Sequence, residues 1–400
     1  MFSITIDEIC ENLKYDTQKN FIGIAITVWQ ANGIDAFIES SRNKGIALNG
    51  FILLPSHHQT GRKLTEHSFS KLDHSIVVCK YKYKKVSPVV DRIFAFCSAT
   101  NNTNSRTVYI AWTSISYEWI NYIERHVPNC KVCFVLIDDG GGSYENRFCY
   151  ELLFEKYNNP KQNFLKTKIK VGLRVLYYKI LLHKLYQSNR IIDNRLFSKT
   201  ESGFRDCFVR NQEVSSYYEK IYEDIAKKIP RDKIDVFESA IIINTQCLKE
   251  NNITDGKVDF EIYENLVQKL TVLGLIPVVK PHPRELVVDK YNRMECIPFL
   301  DTTYSQESLI AGTRKKPVCI ISIFSSTLLN AKGIFGIPAI SLAKIIRDKK
   351  KINKTFKKQL DDYIDQYEGV FEFPSTIDET VKIICNNINN SNRKDVIDVN

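Results

Sequence analysis

RTVYIAWTSISYEWINYIERHVPNCKVCFVLI, residues 106–137, decides the fold. Two apolar runs of strand length, RTVYIAW (106–112) and KVCFVLI (131–137), bracket SISYEWINYIER (114–125), whose apolar residues recur at helical spacing. A strand that is apolar without alternation is covered on both faces, so strand, helix and strand read as one parallel βαβ unit. Upstream, GIAIT (23–27), GFILLP (50–55) and SIVVCKY (75–81) have the same character. Downstream, SAIIINT (239–245), IPVVKPHP (276–283), VCIISIF (318–324) and PAISLA (338–343) alternate with helical segments at 260–273, 305–311, 325–332, 356–367 and 376–387. Residues 150–235 show no convincing strand and contain a basic, aromatic helical stretch, KTKIKVGLRVLYYKILLHKLY (166–186).

The expectation is an α/β protein of two Rossmann-like, doubly wound domains, residues 1–150 and 236–400, joined by a helical connector at 151–235. A length of 400 residues agrees, being above the size at which single cores stop growing. Open sheets of this kind bind ligands beyond the carboxyl ends of their strands, here facing a cleft between the domains.

Composition narrows the classes. At 44% hydrophobic and 26% charged, the chain is globular rather than disordered, and its 16 Gly and 12 Pro follow no period. A net charge of +10 fits partners that carry negative charge. The first residues, MFSITIDEICENLKYDTQKN, lack a basic segment followed by an apolar one, so no secretory leader is expected. No apolar run approaches the ~20 residues of a membrane span. The 11 cysteines are odd in number, and Cys79, Cys133 and Cys319 lie inside apolar runs, the pattern of buried reduced thiols. Cys130 and Cys133 form a CxxC with no second pair at zinc spacing.

Three motifs can carry chemistry. In LIDDGGGSY (136–144), Asp138 and Asp139 follow an apolar strand directly. Adjacent carboxylates repel, which raises the affinity of one for a proton and suits it to general-base work. Gly140 and Gly141 let the main chain turn and let a substrate approach it; a plain charged turn has the same composition. In VVKPHPRE (278–285), His282 stands between Pro281 and Pro283 at a strand end, flanked by Lys280 and Arg284. The prolines hold the backbone extended, and a cationic cluster there suits a phosphate. In SIFSSTLLNAKG (322–333), Ser325, Ser326 and Thr327 open a helix straight after a strand, a geometry that serves equally as an N-cap and as a phosphate cradle. Glu307, on the short helix ahead of that strand, is placed to accept hydrogen bonds from ribose hydroxyls. Neither GxxxxGK[ST] nor GxGxxG occurs, which leaves ATPases and dinucleotide enzymes unsupported.

In order and spacing, DDG, KPHP and SS resemble the motifs of bacterial sialyltransferases. The nearest likeness is to glycosyltransferase family 52, the lipooligosaccharide sialyltransferases. The polysialyltransferases of family 38 are similar but typically carry two glutamates where this chain has Asp138 and Asp139. The resemblance implies a GT-B fold, a CMP-sialic acid donor, inversion at the anomeric carbon and no cofactor or metal. It implies that Asp138 or Asp139 deprotonates the acceptor hydroxyl. His282, with Pro283 and Lys280 beside it, contacts the CMP phosphate; Ser325, Ser326 and Thr327 hold the same phosphate; Glu307 binds ribose. The implied partners are a CMP-sugar and a glycan or glycolipid acceptor, not nucleic acid, in a bacterial cytoplasm. The basic stretch at 166–184 is a candidate for contact with an anionic membrane face or for homodimer packing, against the plainer reading of a solvated connector helix. Two rival readings remain. A CDP-glycerol glycerophosphotransferase of the teichoic-acid type shares a KPHP-like loop but would show Asp beside the serines. A binding protein for anionic polymers gives no reason for the three motifs to coincide.

Overall fold

The computed structural model describes residues 3–55, 64–65, 68–70, 72, 74–81, 106–113, 117–138, 164–199, 208–248, 254, 257–349, 352 and 354–397. The chain divides into two units, Met1–Arg195 and Leu196–Asn400. Each is built on a parallel sheet with Rossmann-like strand order, as the apolar runs predict.

In the first unit the strands are β1 (Ser3–Ile4), β2 (Phe21–Ile24), β3 (Gly50–Pro55), β4 (Ile76–Tyr81), β5 (Arg106–Trp112), β6 (Cys130–Ile137) and β7 (Ile191–Asn194). They lie in the order β1-β4-β3-β2-β5-β6-β7, every neighbouring pair parallel. Successive residues of β6 serve opposite faces. Val132 and Phe134 join a core with Ile9, Leu13, Ile120 and Ile123, from helices Ile6–Tyr15 and Tyr117–His126. Val135 and Ile137 join a second core with Ala31, Ile34 and Phe37 of helix Val28–Asn43. Two cores on one sheet explain why these strands read as unbroken apolar runs. Gly50 has no substitute: a Cβ there would stand 1.9 Å from the Phe21 carbonyl oxygen.

The second unit opens with an antiparallel pair, β8 (Phe197–Lys199) and β9 (Phe208–Arg210). Its main sheet comprises β10 (Ile241–Asn244), β11 (Val278–Lys280), β12 (Ile297–Pro298), β13 (Cys319–Ser322) and β14 (Ala339–Ser341), parallel throughout and ordered β12-β11-β10-β13-β14. Helix Val258–Val272 packs Ile262, Leu266 and Leu270 onto Ile241, Ile243, Val279 and Ile321. Helix Ser326–Phe335 is anchored at its far end by Arg210, whose guanidinium donates to the carbonyls of Gly333 (2.6 Å) and Ile334 (2.5 Å).

The stretch 151–235 contributes to both units. Helix Phe164–Gln187 and β7 belong to the first; β8, β9 and helices Gln212–Ala226 and Arg231–Asp235 belong to the second. The expectation that this stretch lacks strands is corrected: it holds β7, β8 and β9. Each is three or four residues long and includes polar side chains such as Asp193, Asn194 and Arg210, so none shows as an apolar run.

Candidate functional site

In the second unit β11 and β12 lie on one side of β10, and β13 and β14 on the other. The direction of winding reverses between β10 and β13, and a doubly wound sheet opens its ligand crevice at that point. Polar residues collect at these two strand ends. β10 terminates in Asn244, followed by Thr245 and Gln246, all three buried. The Asn244 side-chain amide donates to Thr327 Oγ1 (2.8 Å), and that of Gln246 to Ser322 Oγ (3.2 Å). Across the crevice Ser325 caps helix Ser326–Phe335. Its Oγ accepts the Thr327 N–H (3.2 Å) and lies 2.9 Å from the Thr327 hydroxyl. The first turn of that helix carries no acidic residue, so its positive end is not neutralised from within.

On the other flank of β10, the loop after β11 is clamped. The His282 N–H donates to Thr245 Oγ1 (3.2 Å), and the Glu285 N–H closes a turn onto the His282 carbonyl (2.9 Å). The Arg284 N–H donates to His282 Nδ1 (3.1 Å), which requires Nδ1 to be unprotonated. In that arrangement Nε2 carries the ring proton and is the donor left for a ligand. Glu285 anchors the turn. Its buried carboxylate accepts from the hydroxyls of Thr245 and Tyr291, each at 2.6 Å, and pairs with Lys290 Nζ at 2.6 Å. Burial, then the Glu285 charge, pushes the Tyr291 phenol well above its ordinary range and keeps it a donor.

Lys280 ends β11, only 8% exposed, with Nζ over the Phe299 ring and 3.4 Å from the Asp301 carbonyl. Burial lowers its pKa, and the charges of Glu307 and Asp301 oppose that shift. Glu307 is on helix Gln306–Ala311, capped by Ser305, and accepts from the Asn330 amide (2.7 Å). Lys280, Glu307 and Asn330 thus form one electrostatic group.

The structure gathers Lys280, His282, Glu307, Ser325 and Thr327 around the carboxyl ends of β10, β11 and β13, with Pro283 and Ser326 exposed beside them. Asp138 directly follows β6 in the first unit and is fully buried. Asp139, Gly140 and Gly141 lie outside the described residues. Sequence reasoning missed Asn244, Thr245 and Gln246, which stitch both flanking loops to β10. The signal was present: IIINTQ changes from wholly apolar to wholly polar at the strand's end. Glu285 and Asn330 were missed because their value lies in contacts with residues 40 and 23 positions away.

Cys130 and Cys133 are both buried on β6, and burial pushes the Cys130 thiol up to about 12. No group of three or more His, Cys, Asp or Glu side chains stands at metal-binding geometry among the described residues. No helix among them is long and apolar enough to cross a membrane.

Comparison with known proteins identifies the family of the chain. Among solved structures the chain is similar to a protein described as a UDP-N-acetylglucosamine 2-epimerase from Listeria monocytogenes (9% identity, 92% of this chain and 88% of the other, TM-score 0.48). It is also similar to the UDP-GlcNAc 2-epimerase of Neisseria meningitidis bound to UDP-GlcNAc (12% identity, 92% and 99% covered, TM-score 0.42). A third is a family 9 glycosyl transferase of Veillonella parvula (12% identity, 82% and 81% covered, TM-score 0.33). No curated protein matches significantly. The model of the alpha-2,8-polysialyltransferase family, by contrast, matches residues 21–344, a span that contains the acidic pair, the KPHP loop and the serine cluster. The family that matches is thus the one the sequence motifs placed second, behind family 52. This chain belongs to the alpha-2,8-polysialyltransferase family and is a glycosyltransferase of the sialyltransferase kind.

Proposed function

We propose that the protein transfers sialic acid from CMP-sialic acid to a hydroxyl of a glycan acceptor, with inversion and without a metal. One observation carries the reading: Asn244 at the end of β10 and Thr245 after it tie the Ser325/Thr327 helix start on one side and the KPHP turn on the other into a single set of donors. Such a set suits a phosphate that leaves with its charge. Hydroxyls of Ser325 and Thr327, helix N–H groups, the Nε2–H of His282 and the Lys280 ammonium all favour the anion. Each strong preorganised donor is worth about 3–4 kcal/mol where charge develops. Glu307 accepts from the ribose hydroxyls.

The reaction forms a bond from the acceptor oxygen to the anomeric carbon and breaks the bond from that carbon to the phosphate oxygen. The electron pair departs with cytidine monophosphate, and the acceptor's proton goes to a carboxylate of the first unit. That carboxylate is Asp138 or Asp139, a general base worth roughly 10²- to 10⁴-fold; the burial of Asp138 supports giving the part to Asp139. The family match makes an α2,8-linked sialoside the first acceptor to test, and the resemblance to family 52 adds a lactoside. Incubation with CMP-sialic acid and both acceptors, followed by mass spectrometry, tests the reading. His282→Ala should abolish transfer, and Asp139→Ala should stop turnover while CMP still raises the melting temperature. Normal transfer by His282→Ala would overturn the site.

A further inference from the structure

We propose that helix Phe164–Gln187 is an interfacial element that seats the chain on an anionic lipid surface. The helix is apolar along two opposed faces. Thr167, Val171 and Leu185 are buried, with Leu185 in the core beneath the first sheet. Leu165, Ile169, Leu173, Leu176 and Ile180 are 64, 57, 63, 55 and 43% exposed. At 3.6 residues per turn these five positions fall within an arc of about 80°, centred opposite Val171, and run about 22 Å along the axis. Exposed apolar side chains are normal when scattered singly, whereas a stripe over four turns marks a contact surface.

Charge identifies what the stripe meets. Lys168 and Lys170, both exposed, occupy positions on opposite flanks of the arc. The helix sequence contains Lys166, Lys168, Lys170, Arg174, Lys179 and Lys184 and no acidic residue. The spacing from Ile169 to Ile180 (four, three, four) also suits a seam between two helices. A second copy, however, would set Lys168 and Lys170 against the same two lysines, with no carboxylate in either helix sequence to answer them. Anionic headgroups supply that missing charge. Leucine and isoleucine enter the acyl boundary while lysine stems carry their ammonium groups back to the headgroups. The helix lies in the surface and does not span it.

Sedimentation of the full-length protein with phosphatidylcholine vesicles, with and without phosphatidylglycerol, tests this. Binding is expected on the anionic vesicles alone and should weaken as salt rises. Leu173→Glu with Leu176→Glu should lower vesicle affinity at least tenfold at an unchanged melting temperature. Lys168→Ala and Lys170→Ala should each lower it roughly fivefold. Val272→Glu with Leu273→Glu, exposed apolar residues of the second unit, should leave it unaltered. Three results would overturn the proposal: equal binding to neutral vesicles, wild-type binding by folded stripe variants, or a dimer that those variants dissociate without any vesicle binding.

Discussion

Replacing Glu285 by alanine removes the common acceptor of three donors. The Thr245 and Tyr291 hydroxyls, both buried, lose partners at 2.6 Å, and Lys290 loses its ion pair. A buried hydroxyl left unsatisfied costs about 1–3 kcal/mol, whereas Lys290, a quarter exposed, turns to water. The two hydroxyls can turn toward each other in part, which places the loss at about 3 kcal/mol, at the lower end of the range seen when a buried pair loses one member. Glu285→Gln keeps one carbonyl acceptor and should lose about half as much. The assay is denaturant unfolding followed by two signals. Trp29, Trp112 and Trp119 all lie in the first unit, so their fluorescence serves as an internal reference, while circular dichroism reports both units. Glu285→Ala should shift the dichroism transition of the second unit and abolish the melting rise induced by CMP, because Thr245 no longer fixes His282. A loss below about 1 kcal/mol, or an intact CMP response in the destabilised variant, would refute the view that this carboxylate holds the turn.

Three further outcomes follow from the same contacts. Burial lowers the Lys280 pKa, so its charge is present below that value and lost as pH rises through it. CMP affinity should start to fall at a pH below the ordinary lysine value of 10.5, and Lys280→Arg should flatten the profile in a calorimetric titration. Arg210→Met withdraws two charge-assisted bonds from the last turn of helix Ser326–Phe335 and should destabilise the second unit by about 3 kcal/mol in the same unfolding assay. The thiols of Cys10, Cys130 and Cys319 are each pushed up to about 12 by burial, so a thiol reagent at neutral pH should label them only on unfolding.

The sheet architecture was legible because a strand covered on both faces leaves an unbroken apolar run, and β3 and β5 match their runs residue for residue. The two-residue strands β1 and β12 and the polar β7 were not, since their pairing is set by a neighbouring edge rather than by their own composition. In the site, residues with a local signature stood out: His282 between prolines, and Ser325 at a strand-to-helix junction. Residues that act by reaching across the sheet did not. Asn244 matters through Thr327, 83 positions later, and no spacing rule links the two. The bond from the Arg284 N–H to His282 Nδ1 was hidden for the same reason, since it depends on how the backbone folds after Pro283.

The contact between Asn244 and Thr327 takes one lone pair of the Thr327 hydroxyl out of a guest's reach. Ser325 Oγ has one taken likewise by the Thr327 amide proton. The two hydroxyls share one further bond, in which either can be the donor. Whichever way that bond runs, one hydrogen of the pair closes it and the other is left to point outward. An anion therefore finds a hydrogen waiting in both arrangements, and the pair can pass the role from one oxygen to the other. Valine at Thr327 would leave Ser325 a solitary hydroxyl without removing a single charge.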